Sequence, residues 1–208
     1  MNLEEKRRVL RKFAREQGGF FTAGQAEEVG FPGSRHPDLV RSGQWERVRR
    51  GIFRLASEPE GQFSDLHILN LFFRKRNGSP SGVFGLETAA SIFEMGDMLP
   101  VRTSILVPAN FRKRAEIPDG VELIEVPDIS REVVLHEGLF VTSPIRTIVD
   151  LLRTPSRDQE EIRRTFVAAC GSGVISPAAM HHLNDWAPRD IAEQIWAWSE
   201  DHVPGGMK

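Results

Sequence analysis

The chain is poor in cysteine and contains no long apolar run. Among its 208 residues Cys170 is the only cysteine, which excludes an internal disulfide bond and a cysteine-based metal cluster within one chain. No segment approaches the roughly 20 apolar residues that a membrane-spanning helix requires. The charged start at residues 1–6 also does not resemble a signal peptide. We therefore expect a cytoplasmic protein.

Motifs that would indicate an enzyme are also missing from the sequence. It has neither a Walker phosphate-binding loop nor the glycine pattern of a dinucleotide-binding fold. His181 and His182 lie near Asp185, but adjacent residues on a helix point apart, so a shared metal ion is not expected. We expect no catalytic residues, no metal site and no cofactor.

Positive charge is concentrated at the amino terminus. Residues 1–55 hold 12 Lys and Arg against 7 Asp and Glu, a net charge of +5, whereas residues 56–208 hold 15 against 22, a net charge of -7. A basic segment joined to an acidic remainder is typical of a chain whose basic part meets nucleic acid. The simpler alternative is an uneven distribution of charge between two soluble domains.

The first 55 residues predict a winged helix-turn-helix. Apolar periodicity and turn residues give, in order, a helix over residues 3–17, a short strand at 20–21, a helix over 23–29, a helix over 34–41 and a hairpin of strands 45–49 and 52–55. Thr22 and Gln25 have the spacing of a capping box, and Ser34 is placed to cap the third helix. In this fold the third helix enters the major groove.

The candidates for DNA contact are polar and basic residues of these elements. They are Lys6, Arg7, Thr22, Gln25, Ser34, Arg35, His36, Arg41, Arg47, Arg49, Arg50 and Arg54. Arg11 and Lys12 would add phosphate contacts from the first helix. By strand alternation Arg47 and Arg49 share a face, and we favour Arg49 and Arg50, at the hairpin tip, over Arg47.

The remainder predicts a mixed α/β body with a helical tail. A helix is expected over residues 63–76, short strands and helices alternate up to about residue 153, and tail helices cover 157–171, 177–184 and 191–201. Ser143-Pro144 opens a helix in which Arg146 and Asp150 can pair on the exposed side. Contact of Arg146 with a partner is the alternative. We therefore expect an α+β fold with domains at 1–57, 63–155 and 156–208.

Four segments together resemble the AbiEi family of antitoxin-type transcriptional regulators. They are residues 19–26 (GFFTAGQA), 43–55 (GQWERVRRGIFRL), 85–90 (GLETAA) and 141–152 (VTSPIRTIVDLL). The resemblance implies a repressor whose winged helix binds inverted repeats in its own promoter. Because one small module buries little surface, we expect it to bind the repeat as a homodimer or in pairs. It also implies that residues 63–155 form an antitoxin domain that counters a nucleotidyltransferase toxin of the AbiEii type.

Two other functions remain open on the sequence alone. The body could sense a ligand or partner in a regulator that has no toxin. Alternatively, an antitoxin body could modify its toxin enzymatically, for example by phosphoryl transfer, which would need a nucleotide site that no motif of the sequence indicates.

Overall fold

The computed structural model describes residues 1–59, 61, 63–113, 115–155 and 157–200. These residues form the mixed α+β fold that the sequence predicts. The helices are α1 Leu3–Arg15, α2 Ala23–Val29, α3 His36–Arg41, α4 Ser64–Phe72, α5 Leu86–Ile92, α6 Pro144–Leu152, α7 Gln159–Gly171, α8 Pro177–Met180, α9 Leu183–Trp186 and α10 Arg189–Glu200. The strands are β1 Phe20–Thr22, β2 Trp45–Arg49, β3 Ile52–Leu55, β4 Val83–Phe84, β5 Thr103–Pro108, β6 Val121–Val126, β7 Val133–His136 and β8 Leu139–Thr142.

The chain divides into two compact units. The first comprises residues 1–82 with 135–140, and the second comprises 83–134 with the residues from Val141 onward. The sequence places residues 63–76 in the second domain, but α4 contacts β1 and β3 and belongs to the first unit. The tail, expected as a separate extension, packs through α10 on α6 and α7 of the second unit. The expected end of its last helix at Asp201 lies outside the described residues.

Helix α1 begins at a capping box and ends close to its predicted position. The Asn2 side chain accepts a hydrogen bond from the Glu5 amide at 2.9 Å, and the Glu5 carboxylate accepts one from the Asn2 amide at 2.9 Å. Acidic residues in the first turn and basic residues in the last complement the helix dipole. Gly18, with φ of 65°, then reverses the chain into β1.

The three-stranded antiparallel sheet of the first unit has the order β1-β3-β2 and is covered on both faces. One face carries Phe21, Trp45 and Phe53, which join a core with apolar residues of α1, α2 and α3. The opposite face carries Phe20 and Ile52, which pack against Leu71 of α4. The hydrophobic side chains of both faces are therefore buried, and helix α4 is an integral layer of this unit.

A five-stranded mixed sheet has the order β6-β5-β4-β8-β7, and its strands β4, β5 and β6 lie wholly in the second unit. Strands β5 and β6 run parallel, with Leu106 opposite Ile124, whereas β4 runs antiparallel to β5 and parallel to β8. Helix α6 starts where Ser143 caps the Arg146 amide and Pro144 occupies the first turn. Its apolar stripe, including Ile145, Ile148 and Val149, is buried. No helix in the described ranges combines the length and apolar character needed to cross a bilayer.

Candidate nucleic-acid interface

Helix α3 is anchored on the first unit by one face and exposes the other. Leu39 and His36 are buried, whereas Ser34, Arg35 and Arg41 are exposed. The chain enters through a 3-10 turn at Gly33–Arg35, and the helix begins at His36, where no side chain caps it. The predicted cap at Ser34 is therefore wrong, although its hydroxyl stays accessible on the outer surface.

His36 is not available to DNA, contrary to the sequence prediction. Its ring Nε2 donates to the Phe31 carbonyl at 2.9 Å, and the ring lies 5.1 Å from that of Trp45 and 5.4 Å from that of Phe53. With 5% of its surface exposed, the imidazole is a core group that fixes α3. Helical periodicity gives the physical reason, because His36 and Leu39 are three residues apart and share a face.

Thr22 and Gln25 are used within the fold. Each caps the other's backbone, with the Gln25 amide donating to Thr22 Oγ1 at 3.2 Å and the Thr22 amide donating to Gln25 Oε1 at 2.8 Å. The Gln25 side chain also exchanges hydrogen bonds with that of Gln17. The capping box is confirmed, and it occupies the polar atoms that a DNA contact would use.

Several predicted cations are held by acceptors of the first unit. Lys6 Nζ donates to the Gly30 carbonyl at 3.0 Å, at the end of α2. Arg54 pairs with Glu46, directly opposite on the hairpin, and donates to the Glu58 carbonyl at 3.0 Å. Other basic residues of α1 also form ion pairs. Those of Arg7 with Glu4 and of Lys12 with Glu16 are exposed, whereas Arg11 pairs with Glu58, whose side chain is only 12% exposed.

A β-bulge separates Arg47 from Arg49. Arg47 lies opposite Phe53 and Arg49 opposite Ile52, and the register shifts between them. Phe53 and Ile52 belong to the cores on opposite faces of the sheet, and directly opposed residues project to the same face. The side chains of Arg47 and Arg49 therefore project from opposite faces of the sheet, which corrects the prediction that they share one face. The Arg49 guanidinium lies over the Phe72 ring of α4, 5.7 Å from its centroid.

Besides Arg49, four arginines of this region are exposed: Arg35 at the entry to α3, Arg41 at its end, and Arg47 and Arg50 on the hairpin. We call these four the outer arginines. Arg41 forms an exposed pair with Asp38 at 2.8 Å, an interaction that solvent weakens strongly. Within the described ranges the side chains of the other three make no hydrogen bond or ion pair. They are therefore available to an anionic partner without breaking a contact of the fold.

Lys75 and Arg76 fall inside the helix that the sequence predicts over residues 63–76 but lie beyond its observed end. Helix α4 stops at Phe72, so Lys75 and Arg76 occupy the following turn and are exposed. This turn lines a groove together with Gly24 and other residues at the start of α2. The basic run at residues 74–76 is visible in the sequence. Its position on the surface depends on how α4 packs, which the sequence alone does not give.

Arg146, predicted on an exposed helix face, is buried with 4% of its surface accessible. Its Nε donates to Asp150 Oδ2 at 3.1 Å, and its Nη atoms donate to the carbonyls of Asp128, Ile129 and Arg131. Burial raises the pKa of the Asp150 carboxyl, and the charge of Arg146 opposes that rise. Arg146 therefore organises the second unit, and its predicted role as a direct partner contact is wrong.

The described part of the chain does not bring together side chains that could coordinate a metal ion. No group of three or more His, Cys, Asp and Glu side chains that could hold a metal ion occurs there. The His182 imidazole pairs with Asp185 at 3.1 Å, and both side chains are exposed.

Comparison with known proteins identifies the amino-terminal segment. The model of a family described as transcriptional regulator, AbiEi antitoxin, matches residues 8–56. No curated protein matches the chain. The solved structure of RV2827C protein from Mycobacterium tuberculosis is similar to 95% of this chain and 72% of that chain, with 16% identity and a TM-score of 0.41. The resemblance predicted from the sequence is confirmed over residues 8–56, where the chain is similar to AbiEi antitoxin transcriptional regulators.

Proposed function

We propose that the first unit is a winged helix-turn-helix that binds operator DNA, and that the protein represses transcription as the antitoxin of a toxin–antitoxin pair. The observation that carries this proposal is the division of α3 into two faces. His36 and Leu39 fix the helix to the core, and Arg35 and Arg41 stay exposed on it. The regulator family matched at residues 8–56 supports the same conclusion.

The outer arginines have distinct roles in this proposal. Arg35, at the entry to α3, is the candidate for bidentate recognition of guanine in the major groove. Arg47 and Arg50, on the hairpin, neutralise phosphates and supply affinity that depends on salt. Arg49 is a secondary contact because its guanidinium is already stacked on Phe72.

Two copies of the chain would bind one operator. A single small module offers few base contacts, and winged helices reach specific affinity by pairing on repeated half-sites. An inverted repeat upstream of the protein's own gene is therefore the expected operator. Lys75 and Arg76, exposed beside the groove at α2, would extend the phosphate contacts of each copy.

Base recognition is tested by fluorescence anisotropy with the duplex upstream of the protein's own gene and a scrambled duplex of equal length. Arg35→Ala should lose about 1–3 kcal/mol of the preference for the upstream duplex, the range for one bidentate pair. Arg164→Ala, on an exposed position of α7, is the control and should keep the full preference. An unchanged preference in Arg35→Ala would remove α3 from the recognition role.

The antitoxin role rests on the resemblance of residues 85–90 and 141–152 to the family, together with the family match. The proposed partner is a nucleotidyltransferase toxin of the AbiEii type. Co-expression with the product of the neighbouring gene tests it: the full chain should restore growth that this product arrests. Growth arrest that the chain does not relieve, or a harmless neighbour, would favour a stand-alone regulator.

A further inference from the structure

A cavity of about 380 Å³ lies within the second unit, between one face of the sheet and helix α6. Its floor includes Leu106 and Ile124, which are opposite each other on the parallel strands β5 and β6 and therefore project to the same face. Val126, two residues further along β6, continues this face. The cavity reaches the carboxyl end of β6, and ligands of open α/β sheets bind at the carboxyl ends of parallel strands.

One wall of the cavity is the polar stripe of α6 and the residues that follow it. Arg146, Asp150, Arg153 and Thr154 all line it, and their spacing of four, seven and eight residues places them on one side of the helix. The sequence alone predicts that Arg146 and Asp150 face solvent. Their position over an apolar sheet face instead gives the cavity both a polar and an apolar side, the composition typical of small-molecule sites.

The charged side chains along this wall form ion pairs with one another, with the exception of Arg153. Arg146 is bound to Asp150 and to three backbone carbonyls, which hold residues 128–131 as a fixed rim. Asp128 and Arg131 face each other at 3.9 Å. The Arg153 side chain is exposed and makes no hydrogen bond or ion pair with any residue that the structure describes, although its charge, like that of Arg146, opposes the rise that burial causes in the pKa of Asp150. The guanidinium of Arg153 is therefore the group positioned to receive an anion.

Two further features point to a ligand. Trp186 of α9 contributes a half-buried aromatic ring to the lining. Leu86, also in the lining, has a φ of 51° although it is only 2% exposed, and such a conformation is costly for a bulky side chain. Backbone strain of this kind clusters at ligand sites. Glu125 also lines the cavity, although strand alternation sends its side chain to the face of β6 opposite Ile124.

We propose that this cavity binds a small organic monoanion with a flat apolar body, of the aromatic carboxylate class. The carboxylate pairs with Arg153 in a bidentate fork, and the ring packs between Trp186 and the floor of Leu106 and Ile124. The site is separate from the outer arginines and does not depend on DNA binding.

Calorimetric titration of the full chain with 1-naphthoate and its neutral analogue 1-naphthalenemethanol tests the proposal without DNA. Naphthoate should saturate one site and bind about tenfold or more tightly than the alcohol, because a charge-assisted pair is absent in the alcohol. Arg153→Gln should weaken naphthoate to the level of the alcohol. Arg164→Gln, an exposed arginine outside the cavity, should bind like the original chain.

Tryptophan fluorescence locates the bound ring. Naphthoate should quench the original chain, and Trp186→Phe should remove most of that quenching while the other three tryptophans remain. Absence of saturable naphthoate binding would overturn the proposal. Equal affinity in Arg153→Gln, or full quenching in Trp186→Phe, would do so as well, because the probe would then occupy another part of the protein.

Discussion

Replacing Arg146 by methionine is expected to destabilise the second unit strongly. The substitution removes the hydrogen bond to Asp150 and those to the carbonyls of Asp128, Ile129 and Arg131, and it leaves the Asp150 carboxylate buried without its partner. Only 4% of the Arg146 side chain and 13% of the Asp150 side chain are exposed. Breaking a buried pair by removing one partner costs about 3–5 kcal/mol.

Thermal and urea unfolding followed by circular dichroism measure this cost. A loss of about 3–5 kcal/mol corresponds to a fall in Tm of roughly 6–20 °C for a chain of this length. Arg153→Met, about two turns further along the same side of α6 but exposed, is the matched control and should stay within about 0.5 kcal/mol.

Two additional measurements separate the loss of charge pairing from the loss of packing. The deficit of Arg146→Met should shrink as the pH falls, since a protonated Asp150 no longer carries an unpaired buried charge. The double variant Arg146→Met with Asp150→Leu should recover most of the stability, because both charges are gone. A cost below about 1 kcal/mol for Arg146→Met, or a deficit independent of pH, would refute the role assigned to this pair.

The first unit offers two further predictions. Burial lowers the pKa of His67, with Glu137 raising it and Arg74 lowering it less strongly, so the folded state favours the neutral ring. The neutral His67 ring therefore contributes to the free energy of unfolding above about pH 6.5, and this contribution is lost as the pH falls below that value. Urea unfolding at a series of pH values should show that His67→Gln loses less stability in acid than the original chain. An equal loss in both chains would contradict this. Gly18→Ala should cost about 1–3 kcal/mol in the same assay, since Gly18 has φ of 65° and a Cβ would overlap the His67 ring. Gly43→Ala, with φ of 70° but open space, is its control and should cost less.

Local signals in the sequence predict the elements of the first unit well. The capping box at Thr22 and Gln25 and the turn at Gly51 depend on residues a few positions apart, and the structure contains both. The prediction that His36 faces DNA is wrong, although its spacing from Leu39 already indicates a shared buried face.

Features that depend on distant contacts are not predictable from local patterns. The burial of Arg146 depends on carbonyls of residues 128–131, at least 15 positions away in the chain. The bulge between Arg47 and Arg49 lies beside α4, whose packing on the second face of the sheet no local pattern reveals. The predictions for these residues fail because burial of a charged side chain and strand irregularity are tertiary properties.

The dependence of operator affinity on salt tests the central claim most directly. For the full chain and the upstream duplex, log Kd should rise linearly with log salt, and Arg47→Ala with Arg50→Ala should reduce the slope by about 1.8, or about 0.9 for each phosphate that is no longer neutralised. Arg164→Ala with Arg189→Ala removes the same charge from exposed positions of the second unit and should leave the slope unchanged. Equal slopes for the two double variants would contradict a DNA interface built on the hairpin and α3.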